Sequence, residues 1–370
     1  MPSRNGGERC AVPVVLIAAS AIAVLVAGCG SPSATTGPSA TSSSSTASGP
    51  TPSAANLKPA LTGLLDRNGA PPAAYVASLG GFVVQARWSD LQPSPGAPLT
   101  SGNAIDGAIT DVRMLNATHH LDLGLKIRVL AGIWAPAWAK DLGGTPISLI
   151  NPQNGAEGTV GRFWTDAFGS AYDHFVSLLA AKYDSIPEVR EVTIARCTTF
   201  YDEPSILDTG YLPNDTALLA SGFTDSADEQ CQRQEIDAGA VWQHTHSDLA
   251  LNPYQVVNSA GAVRTDEPFT QSMMQYCRQK LGLACVLENN SLRSPPQASY
   301  LTMYASMQAL GQPLAFQTAT AARVGSLDTT LAYAISLGAN SVELPGGYES
   351  LGTADSFAST TRALAANPIA

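Results

Sequence analysis

From residue 57 onward, short apolar or β-branched runs alternate with longer stretches whose apolar residues recur at helical spacing. Eight runs predict strands, at residues 60–65, 82–88, 125–133, 189–198, 248–254, 284–288, 313–318 and 340–344. Helices are predicted between them, at 105–121, 161–183, 227–243, 267–281, 297–310, 327–337 and 353–366. In the first of these, Ile105, Ile109, Val112 and Leu115 share one face; in the second, Phe168, Tyr172, Phe175 and Leu179 do the same. Dividing residues 57–370 by eight gives a period of about 39, as a (β/α)8 TIM barrel with some insertion requires. Strand-then-helix alternation argues for parallel strands joined by right-handed crossovers. An open doubly wound sheet is the competing α/β architecture. It usually carries a G-x-G-x-x-G turn after an early strand, and none stands at such a place here.

The N-terminal residues have a different pattern. Residues 1–28 have Arg4 and Arg9 ahead of an apolar stretch that ends in small residues, the form of a secretory signal peptide. Val26-Ala27-Gly28-Cys29 resembles a bacterial lipobox, which implies a lipidated Cys29 and attachment to the outer face of a cell membrane. An uncleaved transmembrane anchor is the alternative. Residues 29–56 are nearly all Ser, Thr, Pro, Gly and Ala, a composition that buries too little apolar surface to order its backbone and so predicts a spacer. A single barrel domain is expected over 57–370.

Charge narrows the function. The 370 residues are 45% hydrophobic and 14% charged, with a formal net charge of −10. That balance argues against an electrostatic nucleic-acid binder, which needs clustered Lys and Arg. Four cysteines follow Cys29, and export permits disulfides among them in three pairings. The expected set is Cys277–Cys285, joining a helix end to the next strand, and Cys197–Cys231. A metal site is the alternative, but there is no C-x-x-C, and His244-Thr245-His246 reads as exposed loop histidines. No metal or organic cofactor is expected.

In such a barrel the chemistry sits at the C-terminal ends of the strands. Those ends offer Trp88, then Trp134 and Trp138, then Tyr201-Asp202-Glu203-Pro204, then Asn252, then Glu288-Asn289-Asn290, then Gln317, and finally Glu343. The set mixes carboxylates, amides and aromatic rings with few cations. Aromatic faces suit sugar CH surfaces, amides suit hydroxyls, and paired carboxylates suit glycoside hydrolysis.

The runs FVVQARWSDLQPSPG, LKIRVLAGIWAPAW and TTFYDEP together resemble the barrel core of the glycoside hydrolase superfamily with clan-A-type barrels, over residues 80–348. The resemblance implies that Glu203 is the general acid/base, with Asp202 where that family often has Asn. It also implies a nucleophilic Glu at the end of the seventh strand, where this chain has Gln317. An amide is not a carboxylate nucleophile, so Glu343 or Glu288 would have to supply the second carboxylate, or hydrolysis has been lost.

Each residue has a structural alternative. Glu203 could be a helix N-terminal acid, Glu343 a buried carboxylate paired to Arg87 or Arg128, and Glu288 part of a polar turn. Trp88, Trp134 and Trp138 could fill the core, while Asn289, Asn290 and Gln317 could be local capping groups. The expectation is a surface-anchored glycoside hydrolase-like protein acting on a neutral saccharide. The alternatives are a non-catalytic saccharide binder and a structural envelope lipoprotein.

Overall fold

The computed structural model describes residues 52–203 and 210–369. The residues expected to form a signal peptide, Cys29, the expected spacer as far as residue 51, and Pro204 lie outside the described residues. Eight parallel strands close into a barrel, in the order β1-β8-β7-β6-β5-β4-β3-β2. They are β1 (Gly63–Asp66), β2 (Gly81–Arg87), β3 (Gly124–Leu130), β4 (Val189–Thr193), β5 (His246–Ala250), β6 (Cys285–Leu292), β7 (Leu314–Thr318) and β8 (Ser341–Leu344). The fold is a (β/α)8 TIM barrel. Every predicted strand overlaps one of these, because parallel strands buried on both faces read as near-continuous apolar runs.

Eight helices of nine residues or more are described: α1 (Ala104–His119), α2 (Asp166–Tyr183), α3 (Leu212–Ala220), α4 (Asp225–Ala238), α5 (Glu267–Leu281), α6 (Leu301–Leu310), α7 (Leu327–Ser336) and α8 (Ala354–Ala365). The β1–β2 crossover holds only a 3-10 turn, Val76–Ser78, whereas two helices follow β4. The α1 start is fixed by Asn103, whose side chain accepts from the Ile105 and Asp106 amides. Thr353 and Ser356 form a capping box at α8. Helix α3 and two antiparallel hairpins, Ile147–Ile150 with Glu157–Val160 and Tyr254–Gln255 with Thr265–Asp266, were not predicted. The hairpins sit in loops that carry the chain over the C-terminal mouth.

The buried apolar side chains form two clusters on different parts of the barrel. One centres on Trp88, Phe168, Phe175 and Val129; the other on Leu287, Phe316, Met274 and Val342. The cysteines pair as Cys197–Cys231 and Cys277–Cys285. Histidine 246 departs from its expected exposed position. It opens β5 in a buried place, with its ring nitrogens 3.1 and 3.0 Å from the Leu283 and Lys58 carbonyl oxygens.

Candidate active site

The pleat has a period of two, so alternate residues of each barrel strand point inward. In β3 that sends Lys126 and Arg128 into the interior, while Leu125, Ile127 and Val129 face the helices. An ammonium group sealed from water needs partners. Lys126 Nζ lies 3.2 Å from Glu191, 2.6 Å from Asp248, 2.6 Å from Glu288 and 3.0 Å from Glu343, one carboxylate from each of four strands. One turn of the pleat nearer the mouth, Arg128 donates from Nε to Asp202 at 2.8 Å and from Nη2 to Glu343 at 2.7 Å.

Four carboxylates around one lysine cannot all ionise cheaply. Burial pushes Glu191 up to about 7 and Asp248 up to about 6, with Lys126 opposing. Burial and the neighbouring Asp248 charge raise Glu288 well above the carboxylate range. Burial acts on Glu343 in the same sense, but Arg128 and Lys126 outweigh it and hold this carboxyl down at about 2.

Above this layer the barrel opens into a cleft of about 1400 Å³. Glu203 is on its wall, in the segment leaving β4. That segment is held from two sides. The Cys197–Cys231 disulfide ties it to α4, and Glu235 on α4 accepts from the Arg196 and Cys197 amides at 2.7 and 3.0 Å. On the other side, the Ile133 amide donates to the Thr199 carbonyl at 2.9 Å. Gly132 permits this approach: its φ is +47°, and a Cβ there would stand 2.1 Å from Thr199 O. The contact fixes the loop carrying Trp134 against the loop carrying Tyr201 and Glu203.

Glu203 is half-buried, and its Oε2 is shielded from solvent without a hydrogen-bond partner. Burial and the adjacent Asp202 charge raise its pKa to about 7. A register shift between β6 and β7, between Asn289 and Leu292, places a bulge beside it. Asn290 at the bulge is 7% exposed and lines the cleft; its amide lies near the Glu203 carboxyl and acts to lower its pKa, but neither amide atom makes a well-formed hydrogen bond. Gln317, Asn252 and Asn151 complete an amide-rich wall, and Asn151 donates to the Tyr201 hydroxyl at 2.9 Å.

The sequence-predicted residues therefore divide. Trp134, Tyr201, Asp202, Glu203, Asn290 and Gln317 line the cleft. Trp88, Trp138, Asn289, Glu288 and Glu343 do not. Trp88 is sealed among Trp138, Phe168, Tyr172 and Phe175, so neither it nor Trp138 offers a sugar platform. Asn289 points to the helix side, donating to the Leu251 carbonyl at 2.7 Å and accepting from the Tyr304 hydroxyl at 2.8 Å. Glu288 and Glu343 are bound to Lys126 beneath the cleft floor, and Glu343 takes the Arg128 pairing that was its structural alternative.

The expected scarcity of cations is also corrected. Arg67, Arg87, Arg128, Arg293 and Arg323 all reach the cleft. Inspection of strand ends for cations as well as carboxylates would have found Arg67, Arg87 and Arg293. A cluster of Cys197, Asp228 and Cys231 has metal-ligand spacing, but both sulfurs are in the disulfide.

No protein-family profile matches the chain, and no curated protein matches it. Solved structures do. The catalytic domain of β-amylase from Paenibacillus polymyxa is 10% identical, over 82% of this chain and 100% of that one, with a TM-score of 0.49. Endo-glycoceramidase II from Rhodococcus sp. is 14% identical over 80% and 78% of the two chains, with a TM-score of 0.45. A family 10 endo-β-1,4-xylanase from Gloeophyllum trabeum is 11% identical over 82% and 96%, with a TM-score of 0.46. These are glycoside hydrolases with similar barrels. At such values the likeness assigns no residue a role.

Proposed function

We propose that the chain is a glycoside hydrolase-like protein that takes a saccharide into the barrel mouth, with Glu203 as proton donor to the glycosidic oxygen. The observation that carries this reading is the state of Glu203. It stands on the cleft wall after β4, its Oε2 has no partner, and its pKa is raised to about 7. A carboxylic acid that keeps its proton near neutrality can protonate a leaving group. Asn290 and Gln317 face the same space with amide groups suited to sugar hydroxyls, and Trp134 and Tyr201 offer ring faces.

The second half of the reaction falls to another group. Glu288 and Glu343 are bound to Lys126, and Asp202 is bound to Arg128. Asp90 is the cleft carboxylate left without a cation partner among the described residues. In this proposal Asp90 accepts a proton from a water whose oxygen bonds to the anomeric carbon, the glycosidic C–O bond breaks, and Glu203 gives its proton to the departing oxygen.

Release of reducing ends from a panel of glycans tests the reading. Glu203→Gln should lower turnover by roughly 10²–10⁴-fold, the usual contribution of a general acid. Wild-type activity should fall as pH rises through about 7, as Glu203 loses its proton. Unchanged turnover in the variant removes Glu203 from the role. Saccharide binding without turnover is a second reading, favoured by Gln317 at the seventh strand end and by the sequestered Glu343. Bound glycan with no product after long incubation would establish it.

The N-terminal residues support export and anchoring to the outer face of the membrane through Cys29. Labelled palmitate should enter the wild-type chain and not Cys29→Ala. Equal labelling of both would end that proposal.

A further inference from the structure

We propose that the cleft selects an anionic saccharide, one whose rings carry carboxylate, sulfate or phosphate groups. This rests on the reading of the mouth as a saccharide site. Among the described residues, five arginines line the cleft and no lysine does. Of these, only Arg128 has a carboxylate within 4 Å among the described residues, and it has two, Asp202 and Glu343. Arg67, Arg87, Arg293 and Arg323 have none. The acids on the same wall are Asp90, Asp202 and Glu203. Asp202 is neutralised by Arg128, and Glu203 holds its proton to about pH 7. The uncompensated charge of the wall is therefore positive, in a chain whose net charge is −10.

The arginines reach the cleft from separate strand ends. Arg67 follows β1, Arg87 ends β2, Arg293 follows β6, and Arg323 lies beyond β7. Two are held in place. The Arg87 guanidinium lies 3.8 Å from the centre of the Trp134 ring, and Arg67 Nε donates to the Leu344 carbonyl at 2.8 Å. Guanidinium groups fixed in this way keep donors free for the two-pronged recognition of carboxylates and oxyanions. A neutral glycan would leave those donors to water and gain nothing from the charge.

A second observation points to a ligand in the same space. Asn290 is 7% exposed, lines the cleft and lies beside the Glu203 carboxyl, yet neither of its amide atoms makes a well-formed hydrogen bond. A buried amide left unmade costs about 1–3 kcal/mol, a penalty that a bound hydroxyl or oxyanion removes. Together these define a rim of four cations around an amide floor. A sugar ring fits the floor, and charged substituents on the ring meet the rim.

The full chain would be applied to an array of neutral, uronate-bearing, sulfated and phosphorylated glycans, and the best hit of each class titrated calorimetrically at two ionic strengths. At low salt, anionic glycans should bind at least about tenfold tighter than their neutral counterparts, and added salt should erode that preference. Arg293→Gln with Arg323→Gln, which removes two of the four rim cations, should cut the preference severalfold. Neither side chain makes a hydrogen bond or ion pair among the described residues, so the thermal midpoint should stay unchanged. The three anionic classes separate the source of the charge. Equal, salt-insensitive binding of neutral glycans would overturn the charge selection and leave the saccharide site standing. No binding to any glycan would overturn both.

Discussion

The barrel interior and the barrel mouth use the same residue types to opposite effect. In the interior every cation is surrounded by carboxyls: Lys126 touches four, Arg128 bridges Asp202 and Glu343, and burial raises the pKa values of the surplus acids. At the mouth, four arginines at other strand ends have no carboxylate partner among the described residues, and the Asn290 amide, beside Glu203, makes no well-formed hydrogen bond. Burial explains the contrast. A charge removed from water must be neutralised within the protein, whereas a charge at an open cleft can wait in water for a ligand. The ion-paired interior is therefore read as structural, and the cations without carboxylates at the mouth as functional.

The largest expected effect tests the interior. Lys126→Met would leave Glu191, Asp248 and Glu288 buried without their common cation. Removing one side of a buried ion pair typically costs about 3–5 kcal/mol, so urea unfolding should show a loss of at least that size. The deficit should narrow as the pH falls, because protonated carboxyls no longer need the cation. A variant as stable as wild type would show that the lysine does not hold the barrel together.

Glu343→Gln comes next and decides which region Glu343 belongs to. Its pKa is held down at about 2, so its ionised form stabilises the fold above the ordinary carboxylate range, and that contribution is lost as pH falls toward 2. The variant should lose roughly 2–4 kcal/mol at neutral pH, less than Lys126→Met because Asp202 and the other three carboxylates still partner the cations. Any loss of activity should track the loss of folded protein. A fully stable but inactive variant would instead move Glu343 into the mouth as a reacting group.

The sequence shows this division only in part. Strands were legible because apolar runs such as FVVQAR and LKIRVL need no partner information to be recognised. Lys126 and Arg128 were visible in β3 as polar residues at alternate positions, but their neutralisers lie on β4, β5, β6 and β8, and only barrel closure brings them together. The tryptophans make the same point. Trp88 and Trp134 both follow strands, yet one is sealed in the core and the other stacks beneath Arg87 at the mouth. Both are tryptophans after a strand, Trp88 directly behind Arg87 and Trp134 four residues beyond Leu130, and the course of the loop decides which one is buried. The cleft arginines are scattered one to a strand end, so their clustering appears only when the ring is closed.

The smallest effect on stability belongs to Glu203→Gln, and it sharpens the contrast most. Glu203 has a folded pKa of about 7 against an ordinary value of 4.5. Between those values the native state binds more protons than the unfolded chain, so stability falls as pH rises through this range and then levels off above about 7. The wild-type cost is no more than roughly 3 kcal/mol, and less where water reaches the carboxyl. An amide has no such ionisation, so Glu203→Gln should match wild type near pH 5 and exceed it slightly at pH 8. Glu191, Asp248 and Glu235 are raised in the same direction, so both proteins should still weaken toward alkaline pH. Thermal midpoints across this range measure the difference directly. A variant that loses stability at every pH would mean that Glu203 is a structural member of the barrel. A variant that gains at pH 8 while losing turnover would show a residue kept at the mouth, against stability, for its proton.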